Sequence, residues 1–189
     1  MFIQTEQTPN PQTLKFLPGR VVMKEGTAFF QNIEDSSNSP FAKRLFSLDG
    51  VEGVFFGSDF ITITKSKNTT WETMKPEILG AIVKYFENQA DESIVSEESL
   101  EGKDSLKANE EDSEIVKQIK ELIDTRVRPA VAMDGGDIIY DSFKEGVVYL
   151  QMQGSCSGCP SSTATLKMGI ENMLKHYVPE VKEVRPIGE

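Results

Sequence analysis

Apolar and polar positions change period several times along this chain, and each change marks an element. IQTEQ and LKFLPG bracket the turn-rich TPNPQ, which predicts two short strands joined through proline-restricted backbone. SPFAKRLFSLDG predicts a short helix with Ser39 as its cap, Pro40 at its first position and Asp49-Gly50 ending it. VEGVFFGSDFITITK reads as a hairpin, two β-rich runs around Gly57-Ser58-Asp59. Trp71, Met74, Ile78, Ile82 and Phe86 then recur at three- and four-residue spacing, the period of a helix, with Pro76 tolerated near its start. Phe55, Phe56 and Phe60 are assigned to the core of this small α+β unit, which contains no catalytic constellation.

The second half repeats the logic with a different order. Ser113 is placed to cap a helix whose apolar face is Ile115, Ile119, Leu122, Ile123 and Val127. Pro129 is expected to stop it, because the residue before a proline is pushed out of helical space, and AVAMDGGD is expected to follow as a loop. DIIYDSF and GVVYLQMQ predict two strands around Lys144-Glu145-Gly146. Pro160 stands at a helix start, with Leu166, Ile170, Met173, Leu174 and Tyr177 on one face, and EVKEVRPI predicts a third strand.

Between the halves the periodicity disappears. From Asp91 to Glu114 there are ten acidic residues and two lysines, whereas each flanking segment carries ten acidic and nine basic residues. Of the net charge of −10, −8 therefore belongs to this stretch and −1 to each flank. It is too polar and too densely like-charged to bury a core, and reads as a flexible, self-repelling tether. The expected organisation is two small α+β domains, 1–90 and 114–189, joined by an acidic linker over 91–113. Neither domain has the positive charge of a nucleic-acid binder, and no apolar run approaches the ~20 residues that cross a bilayer. MFIQTEQTPNPQ has neither the basic and apolar regions of a secretory signal nor the Arg/Ser-rich character of a transit peptide. A bacterial cytoplasmic location is the first expectation and the mitochondrial matrix, after removal of a presequence, the alternative.

The chain has two cysteines, Cys156 and Cys159, in GSCSGCPSS. The predicted layout puts them where a strand ends and a helix begins, a place where unpaired N–H groups and the helix dipole favour thiolates. Gly154 and Gly158 let backbone approach a bound group, and Ser155 and Ser157 can donate hydrogen bonds to sulfur. Three chemistries fit. A dithiol redox pair uses this spacing, although about 75 residues with two or three strands are too few for a thioredoxin fold. A zinc site needs four ligands, and His176, far along the same helix, is expected to face solvent. An iron–sulfur cluster needs four thiolates where one chain has two, so it must lie between two copies at a symmetric contact. Such a boundary site is expected to release its cluster to competing thiols, which suits a carrier better than an electron-transfer protein; the expected role is that of a carrier and not of an enzyme.

The residues resemble those of a known family. RVRPAVAMDGGDI, GSCSGCPSS-T-TLK-GIENML and PEV make 114–187 similar to the C-terminal domain of the NifU-like (Nfu) proteins. FIQTEQTPNPQTLKF, FFGSDFITITK and W-----KPEI make the first half similar to the Nfu N-terminal domain. The resemblance implies an iron–sulfur cluster scaffold or carrier. It also implies a cluster, [4Fe–4S] or else [2Fe–2S], bound between two protomers by the residues at Cys156 and Cys159. The implied partners are a second copy, upstream assembly donors and recipient apo iron–sulfur proteins. The Asp134-Gly135-Gly136-Asp137 stretch also matches, and is read as a tight turn needing glycine. Arg126 and Arg128 are read as solvated charges. The thiol-free first domain is expected to dock donor or recipient proteins.

Overall fold

The computed structural model describes residues 2–88, 94, 113–158 and 160–187, and these form two compact α+β units. In the first unit the strands are β1 (Gln4–Gln7), β2 (Thr13–Leu17), β3 (Ala28–Phe30), β4 (Val51–Phe56) and β5 (Ile61–Lys65). They form one antiparallel sheet in the order β1-β2-β5-β4-β3. Two-residue alternation sorts its faces. The rung Thr5, Phe16, Ile61, Phe56, Ala28 crosses all five strands, and from Phe16 to Ala28 it is buried in the core. The adjacent rung Glu6, Lys15, Thr62, Phe55, Phe29 lies on the other face.

Helices α1 (Pro40–Phe46) and α2 (Trp71–Asn88) cover the core face with Phe41, Leu45, Ile78 and Ile82, all fully buried. Phe41 stacks on Phe56 at 5.4 Å and on Tyr85 at 4.0 Å, so aromatic packing ties α1 to both sheet and α2. Ser39 caps α1 as expected, its Oγ accepting from the Ala42 N–H at 3.2 Å. The same hydroxyl donates to the Ile94 carbonyl at 2.8 Å, and Ile94 is buried in this unit's core. The sequence pattern by itself puts Ile94 in the tether. Apart from Ile94 and Ser113, that expected tether lies outside the described residues.

In the second unit α3 (Glu114–Leu122) begins at Ser113, whose Oγ accepts from the Val116 N–H. The helix does not stop at Pro129. A π-helical turn over Ile123–Val127 leads directly into α4 (Arg128–Met133), and Arg128 has helical angles of φ −58° and ψ −45°. The Arg128 N–H bonds five residues back, to Ile123, which widens the turn and makes Pro129 an early residue of a new helix, where its missing N–H costs little. The expected loop shrinks accordingly: Ala130–Met133 is helical, Asp134 and Gly135 form the turn, and Gly136-Asp137 already opens a strand.

Strands β6 (Gly136–Lys144) and β7 (Val147–Gly154) form the expected hairpin. After the cysteine turn, α5 (Pro160–Tyr177) crosses over to β8 (Glu183–Ile187), which pairs parallel to β7. Val148, Leu150, Met152, Ile138 and Val184 meet Ile119, Ile123, Val131, Ile170 and Leu174 in the core. Tyr177, expected on the buried face of α5, is 40% exposed and carries the Arg126 guanidinium over its ring at 4.9 Å. The helix ends there, and Val178 takes the buried place at 1% exposure.

Candidate functional site

The last residue of β7, Gly154, has φ +62°, a left-handed conformation that turns the chain back on itself. The Cys156 N–H then bonds the Gln153 carbonyl at 3.3 Å and the Ser157 N–H bonds that of Gly154 at 3.2 Å. This local turn is fastened to the α4–β6 corner. The Ser155 N–H donates to the Gly135 carbonyl at 3.2 Å, and Ser155 Oγ donates to the Asp134 carbonyl at 2.6 Å. Cys156 lies behind these bonds, only 6% exposed and part of the second core. Cys159, the other expected ligand, lies outside the described residues.

Gly136 is the wall of the site. A Cβ there would stand 2.5 Å from Cys156 Sγ and 2.9 Å from the Gln153 carbonyl oxygen. The two glycines of the 134–137 stretch thus have separate reasons: Gly135 supplies φ +80° for the turn, and Gly136 leaves room for the cysteine. The sequence reading assigned both to turn formation and missed the contact. A backbone close to a side chain twenty residues away leaves no periodicity to detect.

Beside that wall lies a buried ion pair. Asp137 is 3% exposed, and Arg128 donates to both its oxygens, Nε to Oδ1 and Nη2 to Oδ2, each at 2.9 Å. Arg128 also bonds Asp124 at 2.9 Å, one turn back on the helix. The bond and charge of Asp137 outweigh the cost of burying the guanidinium and raise its pKa. Arg128 is therefore no solvated charge, and its grip on Asp137 helps hold it in helical space before Pro129. Arg126, in contrast, is exposed on the helix surface, and so is His176, as expected.

The electrostatics of Cys156 differ from the sequence expectation. Burial pushes its thiol up to about 12; the Ser155 hydrogen bond pulls it down, and the carboxylates of Asp134 and Asp137 push it up. Desolvation outweighs the helix-start effect that predicts a thiolate. At neutral pH Cys156 is a protonated thiol, so binding a metal through it releases a proton. The Oε1 atom of Gln153, cross-strand from Asp137, is buried without a donor among the described residues.

The family model described as the scaffold protein Nfu/NifU N-terminal domain matches residues 3–89, and the NifU-like domain matches 119–185. "NifU-like protein 4, mitochondrial" of Arabidopsis thaliana is 52% identical over 186 residues, 97% of this chain and 65% of that protein. The chain therefore spans about two-thirds of that relative's length. The human "NFU1 iron-sulfur cluster scaffold homolog, mitochondrial" is 48% identical over 188 residues, covering 99% of this chain and 72% of the relative. The solution structure of a NifU-like protein from Saccharomyces cerevisiae overlaps 51% of this chain and 86% of its own, at 29% identity and a TM-score of 0.46. With both domain models matched in order and a relative of this identity covered over most of its length, the chain belongs to the Nfu/NifU-like family.

Proposed function

We propose that this protein is an iron–sulfur cluster scaffold and carrier, in which Cys156 and Cys159 of two copies hold one [4Fe–4S] cluster and pass it to apo-proteins. The observation that carries this reading is the cysteine turn. In a chain with no other thiols, Cys156 sits between a strand and a helix, tied through Ser155 to a corner that a buried ion pair stabilises. Two thiols per chain against the four ligands of a cluster make the site complete only in a dimer. The name of the human relative agrees with scaffold work, and the mitochondrial designation of the human and plant relatives favours a mitochondrial location over the bacterial cytoplasm.

The cluster is cargo. Binding exchanges the Cys156 proton for iron, and transfer is a stepwise replacement of these cysteines by those of the recipient. Cys156 is only 6% exposed, which argues against it as the attacking nucleophile of a dithiol oxidoreductase, because that sulfur must be reached by the disulfide it attacks. The first unit contributes partner docking, since without a cysteine it offers no thiolate to iron.

Anaerobic reconstitution with iron and sulfide tests the reading through visible absorption, metal and sulfide analysis, and solution mass. About four irons and four sulfides per dimer are expected, and none in Cys156→Ala or Cys159→Ala. A monomer that cycles between dithiol and disulfide, or a colourless zinc dimer, would overturn it.

A further inference from the structure

The TPNPQ turn is more built than a connection needs to be. Asn10 is 2% exposed at its centre. Its carbonyl accepts from the Thr13 N–H at 2.9 Å and from the hydroxyls of Thr8 and Thr13, and its side-chain oxygen accepts from the Gln12 N–H at 3.0 Å. The result is a rigid corner. Trp71, the first residue of α2 and the chain's one tryptophan, donates its indole N–H to the Pro11 carbonyl at 3.2 Å. Between this corner, β1 and the first turns of α2 lies a cavity of about 520 Å³, lined by Thr5, Gln7, Pro9, Pro11, Trp71 and Lys75 among others.

Three features of this cavity point to an extended peptide. Among the described residues β1 ends the sheet order and pairs with β2 alone, so its other edge presents main-chain groups to an added strand. Thr5 and Gln7 alternate onto the cavity side, so a strand laid along β1 would point every second side chain at Trp71 and the prolines. Lys75, half-buried at the cavity, has no ion-pair partner among the described residues, whereas Lys15, on the neighbouring strand β2, faces Glu6 at 3.5 Å. Lys65 is fixed behind the Trp71 ring, its Nζ 6.0 Å from the centroid and bonded to the Thr69 carbonyl. The acids of early α2, Glu72 and Glu77, are exposed and do not line the cavity.

We infer that the groove between β1, the TPNPQ corner and the start of α2 is a docking site for an extended, acidic segment of a partner protein. The segment adds a short strand to β1, sets an apolar or proline side chain against Trp71, and places a carboxylate on Lys75. This rests on the docking role proposed for the first unit and gives that role a location and a chemistry.

Trp71 fluorescence of the intact chain reads the binding directly. The probes are blocked five-residue peptides of alternating valine and glutamate, and their valine–lysine counterparts. The acidic probe is expected to saturate the signal and bind at least tenfold more tightly than the basic one. Lys75→Glu, with unchanged far-UV circular dichroism, should reverse that order. Hydrogen exchange of amides in 4–7 should slow at least fivefold with the acidic probe. Equal binding of the two probes, an order that Lys75→Glu leaves alone, or unchanged exchange in β1 would overturn the proposal. So would a signal that tracks protein concentration alone, which would make a second copy the occupant. A chain whose acids between 91 and 112 are replaced by glutamine should bind the probe within threefold of the parent. Tenfold tighter binding would instead assign the groove to that internal segment. If removing the first unit slows cluster transfer while Lys75→Glu leaves probe binding unchanged, docking stands and this groove does not.

Discussion

The two units spend their buried volume differently. The first fills its core with aromatic and aliphatic side chains, and its ion pair between Lys15 and Glu6 stands at a sheet edge with the carboxylate 54% exposed. The second buries a carboxylate at 4% side-chain exposure, pairs it bidentately with an arginine, and packs a cysteine beside it. A buried charge is a costly way to gain stability, since apolar side chains of the same volume do as well or better. Its placement next to the cysteine turn makes sense as geometry: two fixed 2.9 Å bonds hold the start of β6, and Gly136 at that start sets how close Cys156 can lie.

That contrast can be broken from either side. Arg128→Gln takes the guanidinium from the buried Asp137 carboxylate and leaves it the Ile138 N–H at 2.8 Å, while Phe41→Ala empties the centre of an aromatic stack. Each is expected to cost about 3 kcal/mol or more, but in different units. Trp71 lies in the first unit, so denaturant unfolding followed by its fluorescence should shift for Phe41→Ala and stay in place for Arg128→Gln. Amide exchange in β6 and β7 should show the reverse. A common shift of both signals would mean that the two cores unfold together.

Gly136→Ala sharpens the comparison at one atom. The added methyl needs space that Cys156 Sγ and the Gln153 carbonyl occupy, so about 1–3 kcal/mol of stability should be lost through overpacking. The cysteine turn must shift with it, so the variant should retain less iron and sulfide after reconstitution even where it is fully folded. Gly169→Ala in α5, where a Cβ meets nothing within 4 Å, is the matched control and should stabilise slightly. Equal cluster content in both variants would remove Gly136 from the site.

The smallest effect concerns pH. The Lys175 ammonium, at 2.6 Å, and the Val184 N–H, at 3.1 Å, hold the Glu171 carboxyl below the usual carboxylate range and link α5 to β8. A depressed folded-state pKa contributes stability that is present above the unfolded value near 4.3 and is lost as pH falls through the folded value. Thermal unfolding of the second unit should therefore weaken with acid below about pH 4.5, and Glu171→Gln should flatten that part of the profile. An identical slope in the variant would show that other carboxylates carry the acid sensitivity.

Much of this molecule was legible in one dimension. Helix α1 announces itself by Ser39-Pro40, α2 by its apolar spacing, the hairpins by their β-rich runs and turn residues, and the cysteine pair by its spacing in a chain with no other thiols. These are signals between residues close in sequence, where propensity and period act directly. The stop expected at Pro129 failed because the π turn and the Asp137 bond, the latter nine residues ahead, outweigh a local steric preference. The thiolate expected at Cys156 failed for the same kind of reason. A helix start is visible in sequence, whereas the burial that raises the thiol comes from the second core and from Gly136 of β6 against the sulfur.

Sequence by itself determined the two α+β units, their order, and which two residues are the candidate ligands, because each depends on neighbours along the chain. Only the tertiary structure decided that Gly136 is the wall against Cys156, that Arg128 serves a buried aspartate, and that β1 and Trp71 bound a groove. Those are contacts between distant residues, and what selects them is the close packing of a folded interior, where leaving a charge unpaired or adding one methyl costs more than any local propensity supplies.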